Sequence, residues 1–287
     1  MKFIKRDLIF FVCMIIMLTI PLNIALASES ELFDPGNSPV LKRILTTKKL
    51  RVGINPNYKP FSFIEGKERI GIDIDIAELL AHELGVELEM IVPKKFSDLI
   101  PMIRNGGIDI IIAEMTRNFE RSLKIDFSDP YYETGLSVMM NKVQSGRDKI
   151  PIVNSYDDFI SKLTESGQDK RLIISVTAGK SPARSVRVFF PKSKIIEYPT
   201  NETAAEAVLA GKAHIMIHDE TFLKVWMNDN KEKTLYKMLV FPNTFKKDYY
   251  AFAIRKGNQD FLNMLNVFIM ELRIEGFFER FMNKYMQ

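Results

Sequence analysis

From Leu50 onward the apolar positions switch repeatedly between two spacings. Short apolar runs at residues 50–54, 86–92 and 108–113 read as strands. Between the first two, residues 73–84 carry a stripe of Ile72, Ile76, Leu79, Leu80 and Leu84 at helical spacing, ended by Gly85. Residues 96–104 predict a second helix, closed by Gly106 and Gly107. The later half repeats the style without repeating the sequence. Strands are expected at 172–176, 194–197, 213–217 and 249–254 and an extended stretch at 235–241, with helices at 182–190, 202–210 and 221–228 and one long or broken helix at 260–285. Such alternation predicts an α/β architecture. Two extended stretches, 136–142 and 242–250, are candidates for crossings between two lobes, an arrangement that leaves a hinge and a ligand-sized cleft.

The first residues follow a different rule. Lys2, Lys5 and Arg6 precede an apolar run over residues 8–20, and Ala25-Leu26-Ala27 supplies a small-x-small cleavage pattern. The run is about 13 residues, short of the ~20 that a spanning helix needs, so residues 1–27 read as a cleavable export signal, with an uncleaved anchor as the alternative. Cys13 lies within that run and away from the cut, which argues against a lipid anchor. No cysteine follows it, so the exported chain relies on its core and not on disulfides. A periplasmic location is the expectation. Export removes three cations and one anion and lowers the net charge from +4 to +2. That balance, with no clustered basic run, offers no footprint for nucleic acid. Lys231-Glu232-Lys233 reads as a solvated turn.

The densest chemistry follows the third strand. Met115-Thr116-Arg117-Asn118-Phe119-Glu120-Arg121 leads on to Asp126-Phe127-Ser128-Asp129-Pro130-Tyr131. A strand end that offers backbone N–H groups, a hydroxyl and an arginine fork suits a carboxylate. With Leu50-Arg51-Val52-Gly53, Tyr58-Lys59-Pro60-Phe61, residues 71–77 and residues 211–219, this loop resembles the periplasmic solute-binding proteins for polar amino acids, over nearly all of residues 50–286. The resemblance implies a two-lobed type II-like binding fold, with 28–48 as an N-terminal linker, 49–138 plus 243–287 as the first lobe and 139–242 as the second. It also implies a monomer without cofactor or metal that binds an amino acid or similar polar solute. The partner would be the permease of an ABC importer in the inner membrane.

By the same resemblance, Arg121 pairs with the ligand α-carboxylate, and its alternative is a structural arginine bridging two loops. Thr116 offers its N–H to the carboxylate and its hydroxyl to the α-amino group. Ser181 closes over the carboxylate from a helix N-terminus. Asp219 holds the α-ammonium, although an N-cap role for the helix after it is equally available to its side chain. Tyr58 and Phe96 match the aromatic pair that sandwiches the ligand side chain. Glu114 departs from the small residue usual there. If it points inward, the cleft holds two carboxylates against one arginine, which favours a cationic ligand; Asn55, where relatives for basic amino acids carry aspartate, weighs against that. Phe119 replaces a usual proline.

Rival functions lack their signatures. No Gly-x-Ser-x-Gly, His-Glu-x-x-His or phosphate loop occurs, and His82, His214 and His218 share no ligand spacing on one helix face. A dehydratase of the cyclohexadienyl type resembles the same pattern, with Glu114 or Glu220 available as a general acid or base. It carries glutamate three residues beyond the aspartate, where this chain has Phe222. A receptor sensing domain is the third alternative, and the chain offers no output domain or membrane segment after it.

Overall fold

The structure is a computed structural model and describes residues 35–285. The expected signal peptide lies outside the described residues. The strands in chain order are β1 (Lys49–Gly53), β2 (Phe63–Glu65), β3 (Glu68–Ile70), β4 (Glu87–Ile91), β5 (Ile110–Ile111), β6 (Asp126–Asn141), β7 (Ile173–Thr177), β8 (Lys194–Tyr198), β9 (Ile215–Asp219), β10 (Met238–Val240) and β11 (Lys246–Ile254). Nine of them form one sheet in the order β4-β1-β5-β11-β6-β9-β7-β8, with β10 on β6, and β2-β3 is a separate hairpin.

Strand β6 holds the two lobes together. Its first part pairs antiparallel with β11 and its last part with β9, and the two registers meet at Leu136, which faces Lys246 on one side and Asp219 on the other. The crossings expected at 136–142 and 242–250 fall on β6 and on the approach into β11. On either side of this pair the sheet is parallel, β1 with β4 and β5, and β7 with β8 and β9. Those parallel strands are joined through helices, including Ile72–Glu83, Ser181–Phe189 and Asn201–Leu209. Strand β5 is only two residues long, although residues 108–113 are uniformly buried: it pairs with β1 and with β11 at those two positions only. Periodicity reports burial there, not pairing.

Two features differ from the sequence reading and one open alternative is resolved. The expected linker contains a helix, Pro39–Thr47, N-capped by the Ser38 hydroxyl and burying Val40, Leu41 and Ile44. Asn258 accepts from both the Ser38 hydroxyl and the Val40 N–H at 2.9 Å, which ties this helix to the start of the C-terminal helix Gln259–Ile274. Of the two forms expected over 260–285, one long helix or a broken one, the structure has the broken one: Gly276, with φ 67°, ends one helix before Phe277–Tyr285 begins. Lys231–Thr234 forms a short helix and not a turn.

One glycine places the site. Gly71 has φ 136°, and a Cβ there would lie 2.2 Å from the Phe61 carbonyl oxygen. The close approach lets Ile72 and Asp73 donate to the carbonyls of Pro60 and Phe61 at 3.1 and 2.9 Å. The loop carrying Tyr58 is thereby pinned to the helix carrying Asp73.

Candidate functional site

After β5 the chain turns at Glu114, which adopts a left-handed φ of 37°. Its N–H lies 3.0 Å from both Asp73 Oδ2 and the Tyr131 hydroxyl oxygen, and Tyr131 donates to Asp73 Oδ1 at 2.8 Å. That cradle holds a backbone that favours glycine, the residue type expected here by resemblance. Beyond it the loop runs along β11: Thr116 forms a bridge with Tyr250, Arg117 donates to the Tyr249 carbonyl at 2.9 Å, and Ala251 donates to the Met115 carbonyl at 3.1 Å. Asn118 then caps the helix Phe119–Ser122 by accepting from the Arg121 N–H at 2.9 Å. Phe119 is exposed, so the missing proline costs the loop no buried contact.

Arg121 is thus aimed back into the cleft. One guanidinium nitrogen donates to the Thr116 carbonyl at 2.9 Å, and the group lies 5.6 Å from the Phe96 ring centroid. It pairs with no carboxylate among the described residues. Burial lowers its pKa to about 10, against the pull of Glu120, Asp248 and Asp219, so it stays charged at neutral pH.

Asp219 reaches the same cleft from the far lobe. It precedes the helix Glu220–Asp229, but its side chain makes no capping bond. Its Oδ2 accepts from the Tyr58 hydroxyl at 3.2 Å, and the Tyr58 oxygen lies 3.0 Å from that of Tyr250. Asp219 Oδ1 is buried without a partner. Burial lifts the carboxyl to about 6, opposed by hydrogen bonding from Tyr250. His218, fully buried beside it, accepts the Asp219 N–H on Nδ1 at 2.8 Å, so its proton sits on Nε2 and faces Asn201 Oδ1 at 3.1 Å. Burial and Lys180 hold this imidazole well below its usual pKa, in the neutral form.

The residue that sequence reasoning passed over is Lys180. Its ammonium lies 4.5 Å from the Phe96 centroid, 4.7 Å from the Tyr58 centroid and 3.4 Å from Glu114 Oε1. The aromatic pair thus brackets a side chain of the protein itself. Glu114 does point inward, but the expected surplus of negative charge is met by this lysine. A signal existed: Lys180 is the N-cap of the helix Ser181–Phe189, where the helix dipole disfavours a cation unless a carboxylate compensates. Tyr250 and Asp73 were also missed, both being buried groups whose role comes from contacts distant in sequence.

Lys180 and Phe96 line two compartments of the cleft. One, about 580 Å³, contains Arg121 and Ser181; the other, about 420 Å³, contains Asn55, Thr177 and Asn201. Asn55 therefore lies beside the second compartment and not the first. Three buried atoms without a hydrogen-bond partner line the second compartment, Asn55 Nδ2, Thr177 Oγ1 and Asn201 Nδ2; Glu114 Oε2 and Asp219 Oδ1 are likewise unpartnered and lie behind the lining, Glu114 against Lys180 and Asp219 against Tyr58. Unpartnered buried polar atoms each cost stability, so their clustering at one cleft marks a place built for a polar ligand. The lobes meet over it through Asn57–Glu202 at 2.8 Å, Lys59–Asp229 at 3.0 Å and the Arg184–Glu120 pair. No cluster of metal-ligating side chains occurs among the described residues. Phe222, at the position where the dehydratase pattern has glutamate, packs against His218 and Tyr58 with centroids 4.8 and 5.9 Å away.

Comparison with known proteins agrees with this fold. Residues 50–287 match the model of the bacterial extracellular solute-binding proteins, family 3. A Campylobacter jejuni protein named as a probable histidine-binding protein is 27% identical over 245 residues, covering 84% of this chain and 86% of its own. Among solved structures, an ancestral amino acid-binding protein described as a precursor of cyclohexadienyl dehydratase superposes with a TM-score of 0.72 at 29% identity, over 86% of this chain and 99% of that one. A Wolinella succinogenes chain complexed with lysine has a TM-score of 0.72 at 30% identity, over 83% and 95%.

Proposed function

This chain belongs to the bacterial extracellular solute-binding proteins, family 3, and on that footing we propose that it is an exported amino-acid receptor that hands its ligand to a membrane ABC importer. The observation that carries the reading is a matched pair of vacancies in one cleft. Arg121 is a half-buried guanidinium without a carboxylate partner among the described residues, and Asp219 is a buried carboxyl with one orphaned oxygen. An α-amino acid supplies the complement of both. Its carboxylate takes the Arg121 fork together with Thr116 and the helix N-terminus at Ser181, and its ammonium takes Asp219 Oδ1. These groups come from both lobes, so the ligand favours the closed form by the contacts that only that form completes.

Export through residues 1–27 into the periplasm, and docking of the closed monomer on a permease, complete the proposal. Among the described residues no helix is long and apolar enough to cross a membrane. A dehydratase needs a cleft acid or base placed for proton transfer, and the apolar Phe222 at the discriminating position supports binding without turnover.

The test is thermal melting of the exported form, freed of carried-over ligand by unfolding and refolding. The panel holds the proteinogenic amino acids, ornithine, dicarboxylates and prephenate. A ligand at 1,000 times its Kd adds about 4 kcal/mol, a rise of several degrees. Stabilisation by an amino acid is expected; none, with prephenate consumed on incubation, overturns the reading in favour of the enzyme.

A further inference from the structure

We propose that Lys180 sets ligand selectivity: its ammonium occupies the place a cationic ligand side chain would take, so the site accepts amino acids whose side chain ends in a carboxylate or amide and rejects those ending in a cation. The proposal rests on the amino-acid reading above and adds its substrate class.

The geometry comes first. A cation held 4.5 and 4.7 Å from two aromatic centroids and 3.4 Å from a carboxylate is a complete cation subsite, with the cation already in it. Lys180 is nearly enclosed and Glu114 more so, with side-chain exposures of 11% and 2%. A lysine or arginine side chain entering this cage must displace Lys180 or be buried beside it.

The charges of the cleft point the same way. Lys246 pairs with Asp248 near the hinge, and Lys180 answers Glu114. Asp73, beside Glu114, is satisfied by the Tyr131 hydroxyl and the Glu114 N–H. Among the charged side chains set deepest in the cleft, Arg121 and Asp219 remain without an ion-pair partner among the described residues, since the His218 imidazole beside Asp219 is neutral; at the solvent side of the second compartment Glu202, Lys94 and Lys95 also carry no ion pair, two cations against one anion. A zwitterion balances Arg121 and Asp219. A second positive charge on the ligand, at the end of its side chain, would find no free counter-charge beside Lys180, and burying an unpaired charge is heavily penalised.

The second compartment supplies the positive half of the argument. Asn55 Oδ1 accepts from the Asn57 N–H at 3.2 Å, and Asn201 Oδ1 faces the His218 Nε2 proton at 3.1 Å. Both amides are thereby oriented with their unpartnered Nδ2 groups as donors, next to the unpartnered Thr177 hydroxyl and the Lys180 ammonium. Donors in excess call for an acceptor, which is what a side-chain carboxylate or amide carbonyl provides.

The experiment is isothermal titration of the refolded chain with glutamine, glutamate, arginine and lysine, repeated on Lys180→Met, Lys180→Gln and Lys180→Arg. The wild type is expected to bind glutamine or glutamate at least about tenfold more tightly than arginine or lysine. Either neutral substitution should shift that ratio toward the cationic ligands by at least about tenfold, while Lys180→Arg, which keeps the cation in the cage, preserves it. Two neutral variants are included so that misfolding of one leaves the comparison intact. A wild type that prefers arginine or lysine, or neutral variants with an unchanged ratio, overturns the role of Lys180 while leaving the receptor reading standing. A wild type that binds none of these four amino acids overturns this proposal, and one stabilised by no amino acid in the thermal-melting panel overturns the receptor reading with it.

Discussion

Replacing Asp219 by asparagine should make the empty protein more stable while it removes ligand binding. The carboxyl is 5% exposed, one oxygen has no partner, and its pKa is about 6 against an ordinary 3.8. A raised carboxyl pKa means that the folded state pays for the ionised form. At 1.36 kcal/mol per pH unit the penalty above pH 6 is about 3 kcal/mol, and it fades as pH falls from about 6 through 3.8, where both states are protonated. Asparagine keeps the volume, still accepts from the Tyr58 hydroxyl, and carries no charge to bury. Ligand-free Asp219→Asn should therefore melt several degrees above the wild type at pH 7.5 and together with it near pH 3.5. Titration calorimetry should show the same variant losing at least about 2 kcal/mol of amino-acid affinity, because the α-ammonium is left unpaired. A variant less stable than the wild type at pH 7.5, or a gain that persists undiminished at pH 3.5, would refute the assignment of Asp219 as a strained, ligand-directed carboxyl. The pattern is the familiar exchange of stability for function at a binding site.

Three further outcomes follow from the same contacts. Arg121→Ala should weaken amino-acid binding by at least about 2 kcal/mol, measured by calorimetry, with a cooperative melt retained, since the side chain makes only one bond to protein. Gly71→Ala should destabilise the fold by more than about 3 kcal/mol in urea unfolding, because its Cβ would meet the Phe61 carbonyl at 2.2 Å in a φ region that alanine avoids. Asp109→Ala should cost about 3–5 kcal/mol, as it strands Arg51, bound at 2.8 Å through Asp109 Oδ1, and Arg43; ligand ranking by thermal shift should be unchanged, since these groups lie away from the cleft.

Much of the architecture was legible because burial on a strand or helix leaves a periodic trace. The stripe from Ile72 to Leu84 and the apolar runs at β1 and β7 each declare their element locally. What escaped depends on partners far along the chain. The helix Pro39–Thr47 shows only three buried positions and is fixed by Asn258, some 220 residues away. The candidate site divides in the same manner. Arg121, Thr116, Ser181, Asp219, Tyr58 and Phe96 could be named because they sit at the ends of predictable elements within recognisable motifs. Lys180 immediately precedes Ser181, a residue already singled out, and its place at a helix N-terminus calls for a compensating carboxylate. Nothing local says that the carboxylate is Glu114, which lies on the other lobe. The inward turn of Glu114 was equally hidden, since a left-handed φ on a glutamate is imposed by Asp73 and Tyr131 and not by local preference.

The contacts that join the lobes differ in kind with their depth. Tyr58–Asp219 is buried at the strand junction, whereas Lys59–Asp229 and Arg184–Glu120 stand at the rim with side chains 41–62% exposed. Exposed pairs of this sort contribute at most about 1 kcal/mol each and are screened by salt, while the inner contact is not. Ionic strength is therefore a clasp on the mouth of the cleft. Raising the salt should loosen the rim and leave the inner contact in place, so capture and release should both quicken, a change that stopped-flow binding would read.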